Sequence, residues 1–325
     1  MSAGGGTKAI IAALSANVAI AAAKFVAFLV TTSSSMLAES IHSLADSGNQ
    51  VLLLVGGKRA ERKRTPEHPF GYGRERYFYA FVVAVVLFTI GALFSLYEGW
   101  HKISDPHPVE TPIVAFGVLI FAIIAEGFSF RTAIKESNPL RGKQTWLQFI
   151  RRSKSPELPV IVLEDLGALV GLVLALVGVT LAVVTGNGVW DGVGTMAIGV
   201  LLAVIAVILA IETKSLLIGE SAGPEVEKQI ITALESAPEV ARVIHMRTLH
   251  LGPEEILVAA KIAVDHDDTA AQVARGIDEA ERRIRDAVPM ARVIYLEPDL
   301  DRAKVGGVGG AGGVAPGTHS ANGRA

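Results

Sequence analysis

Six apolar runs constrain this chain more than any other feature. A helix needs about 20 mostly apolar residues to cross a bilayer, and lipid leaves the backbone only helices or closed barrels. The runs fall at residues 9–30, 35–56, 77–100, 113–133, 158–184 and 189–211. Of the 325 residues, 50% are hydrophobic and 19% charged, against about 25% charged in a soluble domain. Most of that charge sits in loops and in the last third. The first run exceeds the roughly 7–15 residues of a signal-peptide core, so it is expected to remain as a span. The expected class is an α-helical, multi-pass integral membrane protein with six transmembrane helices.

The loops set the orientation. The connection after the second run carries Lys58, Arg59, Arg62, Lys63, Arg64, Arg74 and Arg76. The connection after the fourth carries Arg131, Lys135, Arg141, Lys143, Arg151 and Arg152. The alternate connections near 31–33 and 185–187 carry no charge, and the third holds only Lys102, Asp105 and Glu110. Excess Lys and Arg mark cytoplasmic loops, which puts both termini in the cytoplasm, with the cell membrane as the expected location.

Beyond residue 213 the composition becomes that of a soluble domain. The pattern predicts a helix at 224–236, strands at 240–251 and 256–264, a charged helix at 269–287 and a strand at 292–297. Helices on one face of a sheet make a small α+β unit of order αββαβ. The expected domains are 1–213 in the membrane, 214–302 in the cytoplasm, and a Gly-rich disordered tail at 303–325.

The chemistry concentrates where lipid tolerates it least. Glu39, His42, Asp46 and Asn49 follow one stripe of the second span, with His42 and Asp46 four residues apart on one face. An ionisable group at the centre of a span costs roughly 2.5–3.5 kcal/mol on insertion scales, so such groups default to function. A His–Asp bond that merely locks packing is the plain alternative. On the fifth span Glu164 and Asp165 are adjacent, about 100° apart around the helix; one is expected to face the second span and the other a neighbouring helix or water. Gly167 and Gly171 allow close helix approach there. His42, Asp46 and Asp165, with Glu164 as the open fourth member, then make a four-group set suited to tetrahedral Zn²⁺. Ligands shed protons to bind metal, and histidine puts that competition near neutral pH, so metal–proton exchange is expected.

Other candidates are weaker. The segment Thr65-Pro66-Glu67-His68-Pro69-Phe70-Gly71-Tyr72 is a rigid turn, with metal binding through His68 and Glu67 as the alternative. Glu98 meets water near the outer end of the third span. Glu126, flanked by Ala125 and Gly127, lines the pathway or packs against another helix. Asp265-His266-Asp267-Asp268 is a solvated turn capping the next helix, with metal binding as the alternative. The chain has no cysteine, which removes disulfides, thiolate sites and thiol catalysis. A net charge of −2 offers no broad basic field to nucleic acid.

These features together resemble the cation diffusion facilitator family. The resemblance rests on His42-x-x-x-Asp46 in span two, the acidic pair of span five and the loop signature His68-Pro69-Phe70-Gly71. It covers nearly the whole chain apart from the tail, and the wording from Met36 to Gln50 is most similar to the zinc transporter nine-like branch. It implies six spans, cytoplasmic termini, an αββαβ cytoplasmic domain and a homodimer exporting divalent metal in exchange for protons. It further implies that His42 and Asp46 are transport-site ligands and that Asp165 is the second acid of span five. Where relatives carry a His or Asp before that acid this chain has Ile161, so the fourth ligand falls to Glu164, Asn49 or water. Tyr72 replaces a second loop histidine. Cytoplasmic metal-binding histidines are replaced at positions such as Ile244 and Lys261, leaving dimer formation as the role of that domain.

The leading expectation is a divalent-cation transporter with no resident cofactor. Zn²⁺ is the first cargo, with Mn²⁺, Fe²⁺ and Co²⁺ also compatible with N/O ligands. A membrane metalloenzyme is disfavoured because no His-Glu-x-x-His motif occurs. The remaining alternative is a non-transporting membrane scaffold or metal receptor acting through its dimeric cytoplasmic domain, for which Asp46→Ala would be silent.

Overall fold

The computed structural model describes residues 4–31, 34–109 and 111–300; side chains of 4–13, 15, 16, 31, 34–36, 38, 39 and 88 are not described. The expected tail therefore lies outside the described residues, as does the side chain of Glu39.

The helical part contains α1 (Gly4–Thr31), α2 (Ser34–Ala60), α3 (Glu75–Val86), a π-helical segment (Leu87–Ala92) and α4 (Leu93–Ser104). It continues with α5 (Pro112–Arg141), the short α6 (Trp146–Arg152), α7 (Glu157–Thr185) and α8 (Val189–Ile218). The third span is α3, the π segment and α4 taken together, 30 residues from Glu75 to Ser104. With α5, α7 and α8 it is both long and apolar enough to cross a membrane. The helices α1 and α2, 28 and 27 residues long, complete six spans. α2 carries the weakest hydropathy signal because its polar residues point inward: Ser40, His42, Ser43, Asp46, Ser47, Asn49 and Gln50 are all buried.

Several helices outrun the predicted spans. α5 continues to Arg141 and α8 to Ile218, against expected ends at 133 and 211. Hydropathy measures hydrocarbon thickness, whereas Lys, Glu and Arg propagate a helix into water as readily as most residues do. Two features were not expected. One is the π segment interrupting the third span. The other is α6, held by a capping box in which Thr145 and Gln148 satisfy each other's backbone N–H groups.

Glycine sets the closest helix contacts. A Cβ on Gly99 of α4 would lie 2.7 Å from Met196 N and 2.9 Å from Gly192 O on α8, so the two backbones touch only because side chains are missing. At the α7–α8 turn, a Cβ on Gly188 would lie 2.1 Å from His107 O.

Two compact units emerge from the chain's contacts. Of the described residues, the first takes in those up to 223 with 248–257 and 290–293; the second takes in 224–247, 258–289 and 294–300. The C-terminal elements are α9 (Pro224–Glu235), β1 (Arg242–Gly252), β2 (Glu255–Val264), α10 (Ala270–Ala287) and β3 (Ala291–Leu300), in the expected order αββαβ. The sheet order is β1-β2-β3. β1 and β2 form a hairpin, with Ala241 N donating to Ala263 O at its open end. Ile256 N donates to Met290 O, while Lys261 pairs with Glu297 and Asp299. The register advances in the same sense on both strands, so β2 and β3 are parallel and α10 is their crossover. Thr269, rather than an aspartate of the preceding turn, caps α10 through a box with Gln272.

Candidate metal-transport site

α2 packs on α1, on α3 with its π segment, on α7, and also on α8 and α4, while α7 packs on α5. The resulting seam holds Lys24 of α1, His42, Asp46 and Asn49 of α2, Glu126 of α5, and Glu164 and Asp165 of α7. None of these residues is more than 5% exposed. Asp46 is within electrostatic reach of Glu164, Glu126, Lys24 and Asp165.

The seam is organised by pairs. His42 Nε2 lies 3.5 Å from Asp46 Oδ2, the separation expected to follow from an i,i+4 spacing. Asn49 Nδ2 donates to Glu164 Oε1 at 2.7 Å, joining α2 to α7. Ser129 Oγ of α5 donates to Asp165 Oδ2 at 3.0 Å. The adjacent acids of α7 thus serve different neighbours, Glu164 the second span and Asp165 the fourth, as their angular separation on the helix requires. Two buried acceptors, Asp46 Oδ1 and Asn49 Oδ1, have no hydrogen-bond donor among the described residues. Such atoms are rare in native interiors and call for an explanation, an ion among them.

The four expected ligands share one seam but not one ligand sphere. Among the described residues, no three His, Asp or Glu side chains are placed so as to hold a single ion. Oxygens of Glu164 and Asp165 are instead engaged by an amide and a hydroxyl.

Three members of the seam were illegible or ambiguous in sequence. Lys24 passes for a stray charge in an apolar run, although a lysine at the centre of a span carries the same insertion cost as an acid. Ser129 has no sequence signal. Glu126, left open between pathway and packing, is buried within reach of Asp46 and Asp165. The π segment adds a wall: a Cβ on Gly91 would lie 3.9 Å from His42 Nδ1 and 3.2 Å from Leu202 Cδ1. π-bulges recur at functional sites.

The loop candidates behave differently. His68 is exposed and stacks on Tyr72 with ring centroids 4.6 Å apart, in a turn closed by hydrogen bonds between Thr65 and His68. His266 and its neighbouring acids form a solvated turn in which Asp268 Oδ2 accepts from Asp265 N. Lys261 is occupied by Glu297 and Asp299.

The structure is a multi-span helical bundle with a buried, acid-rich polar seam, followed by an αββαβ domain. The family model for the cation efflux transmembrane domain matches residues 10–218, and that for the cation efflux protein cytoplasmic domain matches 222–299. The chain belongs to the cation diffusion facilitator family. The mouse proton-coupled zinc antiporter SLC30A9, described as mitochondrial, is 32% identical over 74% of this chain and 43% of its own length. Metal tolerance protein C4 of Arabidopsis thaliana is 26% identical over 78% of this chain and 56% of its own. The manganese efflux system protein MneP of Bacillus subtilis is 25% identical over 90% of this chain and 95% of its own. The chain spans less than half the length of the SLC30A9 relatives it matches.

Proposed function

We propose that this protein exports divalent metal cations, with Zn²⁺ as the principal cargo, in exchange for protons. The observation that carries this reading is the buried His42–Asp46 pair. It sits in a seam shared with Glu126, Glu164 and Asp165, with one Asp46 oxygen lacking any hydrogen-bond donor among the described residues. His42, Asp46 and Asp165 are the proposed ligands, with Glu164 or Asn49 completing the set. The similarity to a zinc antiporter and to a manganese efflux protein supports the choice of cargo class.

The arrangement suggests how binding and exchange are linked. Asp165 and Glu164 are held by Ser129 and Asn49. Coordinating an ion trades those donors for metal bonds and releases whatever protons the ligand groups carry elsewhere. A small shift of α2 against α5 and α7 accomplishes the trade, and rocking of the helices carries the site from one side of the membrane to the other. Both termini are proposed to face the cytoplasm from the charge of the even-numbered loops, with the cell membrane as the location and a homodimer joined through the C-terminal domains as the assembly.

The test is metal flux into proteoliposomes of the purified full chain, with and without an imposed pH gradient, for the intact protein and for Asp46→Ala. Gradient-dependent zinc flux that vanishes in the variant supports the reading. An intact chain that binds and moves neither zinc nor manganese overturns it and leaves the scaffold role.

A further inference from the structure

One charge in the seam has the wrong sign for a cation site. Lys24 is fully buried and lies on the inward stripe of α1 formed by Asn17, Ile20, Ala21, Lys24 and Ala27, all of them buried. It is the single ionisable residue between Asn17 and Val30. Its Nζ donates to Ser43 Oγ at 2.7 Å. Ser43 follows His42 directly and is one turn from Asp46, and Lys24 and Asp46 interact electrostatically. An ammonium has three donors and no lone pair, so it never ligates a metal. A leucine or methionine would fill the same space without burying a charge.

We propose that Lys24 is a tethered counter-cation that sets the affinity and release rate of the metal site. This rests on the transport reading above. With no ion bound, the ammonium offsets part of the charge of Asp46, and through it part of the negative charge of the seam. When a divalent cation enters, the same ammonium repels it, and Ser43 keeps the ammonium from swinging away. The site therefore binds less tightly than its acids alone would, and the ion leaves before it becomes trapped. A transporter needs such an upper limit on affinity, because an ion held too firmly stops turnover. Lys24 is thus a positioning and specificity residue that acts on the cargo through space.

The test compares zinc binding and proteoliposome flux for the full chain as wild type, Lys24→Met, Lys24→Arg and Ser43→Ala, with Asp46→Ala as the site control. Loss of the charge in Lys24→Met should tighten zinc binding at least about tenfold, the factor Coulomb's law gives for a unit charge and a divalent ion about 6 Å apart even at the dielectric of bulk water. It should lower KM and kcat together, the mark of slowed release. Lys24→Arg keeps the charge and should stay within about threefold of wild type in both. Ser43→Ala keeps the charge but loosens it, so its affinity should fall between those of wild type and Lys24→Met. If Lys24→Met fails to assemble, Lys24→Met with Glu126→Gln removes one charge of each sign. Against Glu126→Gln alone it should again bind at least about tenfold tighter. An unchanged zinc affinity in the Met variants, with KM and kcat at wild-type values, makes Lys24 a structural anchor and overturns this proposal alone. A wild-type protein that binds no zinc or manganese overturns the transport reading and this proposal with it.

Discussion

The hydrogen bond from Asn49 to Glu164 offers a measurement that separates a strut from a ligand. The donor–acceptor distance is 2.7 Å and both side chains are buried. In soluble proteins a bond to a charged group contributes about 1.5–3 kcal/mol. Interhelical bonds in membranes average about 0.6 and reach about 1.7 kcal/mol, because the unfolded chain in lipid also finds partners. A short bond between two inward-facing residues belongs near the upper end, so a coupling of about 1–1.7 kcal/mol is expected. Asn49→Ala leaves the Glu164 oxygen without its amide. Glu164→Ala leaves an Asn49 whose carbonyl oxygen already lacks a donor among the described residues. The double variant removes both and should cost less than the sum of the two by that coupling. The assay is equilibrium unfolding of the metal-free full chain in mixed micelles, across the four-member cycle. A coupling below about 0.3 kcal/mol, the limit at which independent sites already appear additive, would refute the strut. Glu164→Gln keeps the acceptor and removes the charge. If Glu164 is the fourth ligand, that variant should lose at least about tenfold in zinc affinity, about 1.4 kcal/mol; if it is only a strut, zinc affinity should stay within about twofold.

The remaining predictions concern the π segment and a buried histidine. Gly91→Ala meets Leu202 at 3.2 Å and His42 at ordinary contact distance, so flux should be nearly retained, whereas Gly91→Leu pushes into the His42 ring and should cut zinc flux at least about tenfold with normal expression; equal flux in both variants would remove the π segment from the site. His250 in β1 is buried, its Nδ1 facing Gly252 O at 3.3 Å. Burial holds its pKa below the ordinary value against the opposing pull of the Gly252 carbonyl. The folded state therefore resists a proton that the unfolded chain accepts below about pH 6.5. Its stabilising contribution is complete above that pH and is lost as pH falls toward the depressed folded value, at no more than about 1.4 kcal/mol per pH unit. Thermal midpoints between pH 7.5 and 5.5 should drop less for His250→Asn than for wild type; an identical slope would show that His250 contributes none of the acid sensitivity.

What was legible in the sequence follows from which forces act locally. Span positions were readable because each apolar run must bury itself in lipid. The ends were not, since Lys135, Glu136 and Arg141 extend α5 into water as ordinary helix formers. The αββαβ order was readable from apolar periodicity and from Gly252-Pro253, but the parallel pairing of β2 and β3 depends on contacts such as Ile256 with Met290 that no local pattern encodes. His42 and Asp46 stood out because their i,i+4 spacing is itself a structural statement. Asp165 stood out as an acid among apolar residues. Ser129, Ser43 and the role of Glu126 became visible only when α5, α7 and α1 were laid against α2.

The same distinction bears on the chemistry. Counting ligands along the sequence treats the acids of α7 as a reservoir waiting for metal, and Ile161 as a vacancy to be filled. In the folded protein those acids are already spoken for, one by an amide across to α2 and one by a hydroxyl from α5. A buried ammonium faces the same seam from α1. The amide and the hydroxyl engage the carboxylates that a cation would need, while the ammonium, held by Ser43, acts on Asp46. On the proposed transport reading, releasing those donors requires the helices to shift, which would tie metal affinity to the conformational step of transport. A rigid four-ligand cage would bind zinc more tightly and would have no reason to let it go.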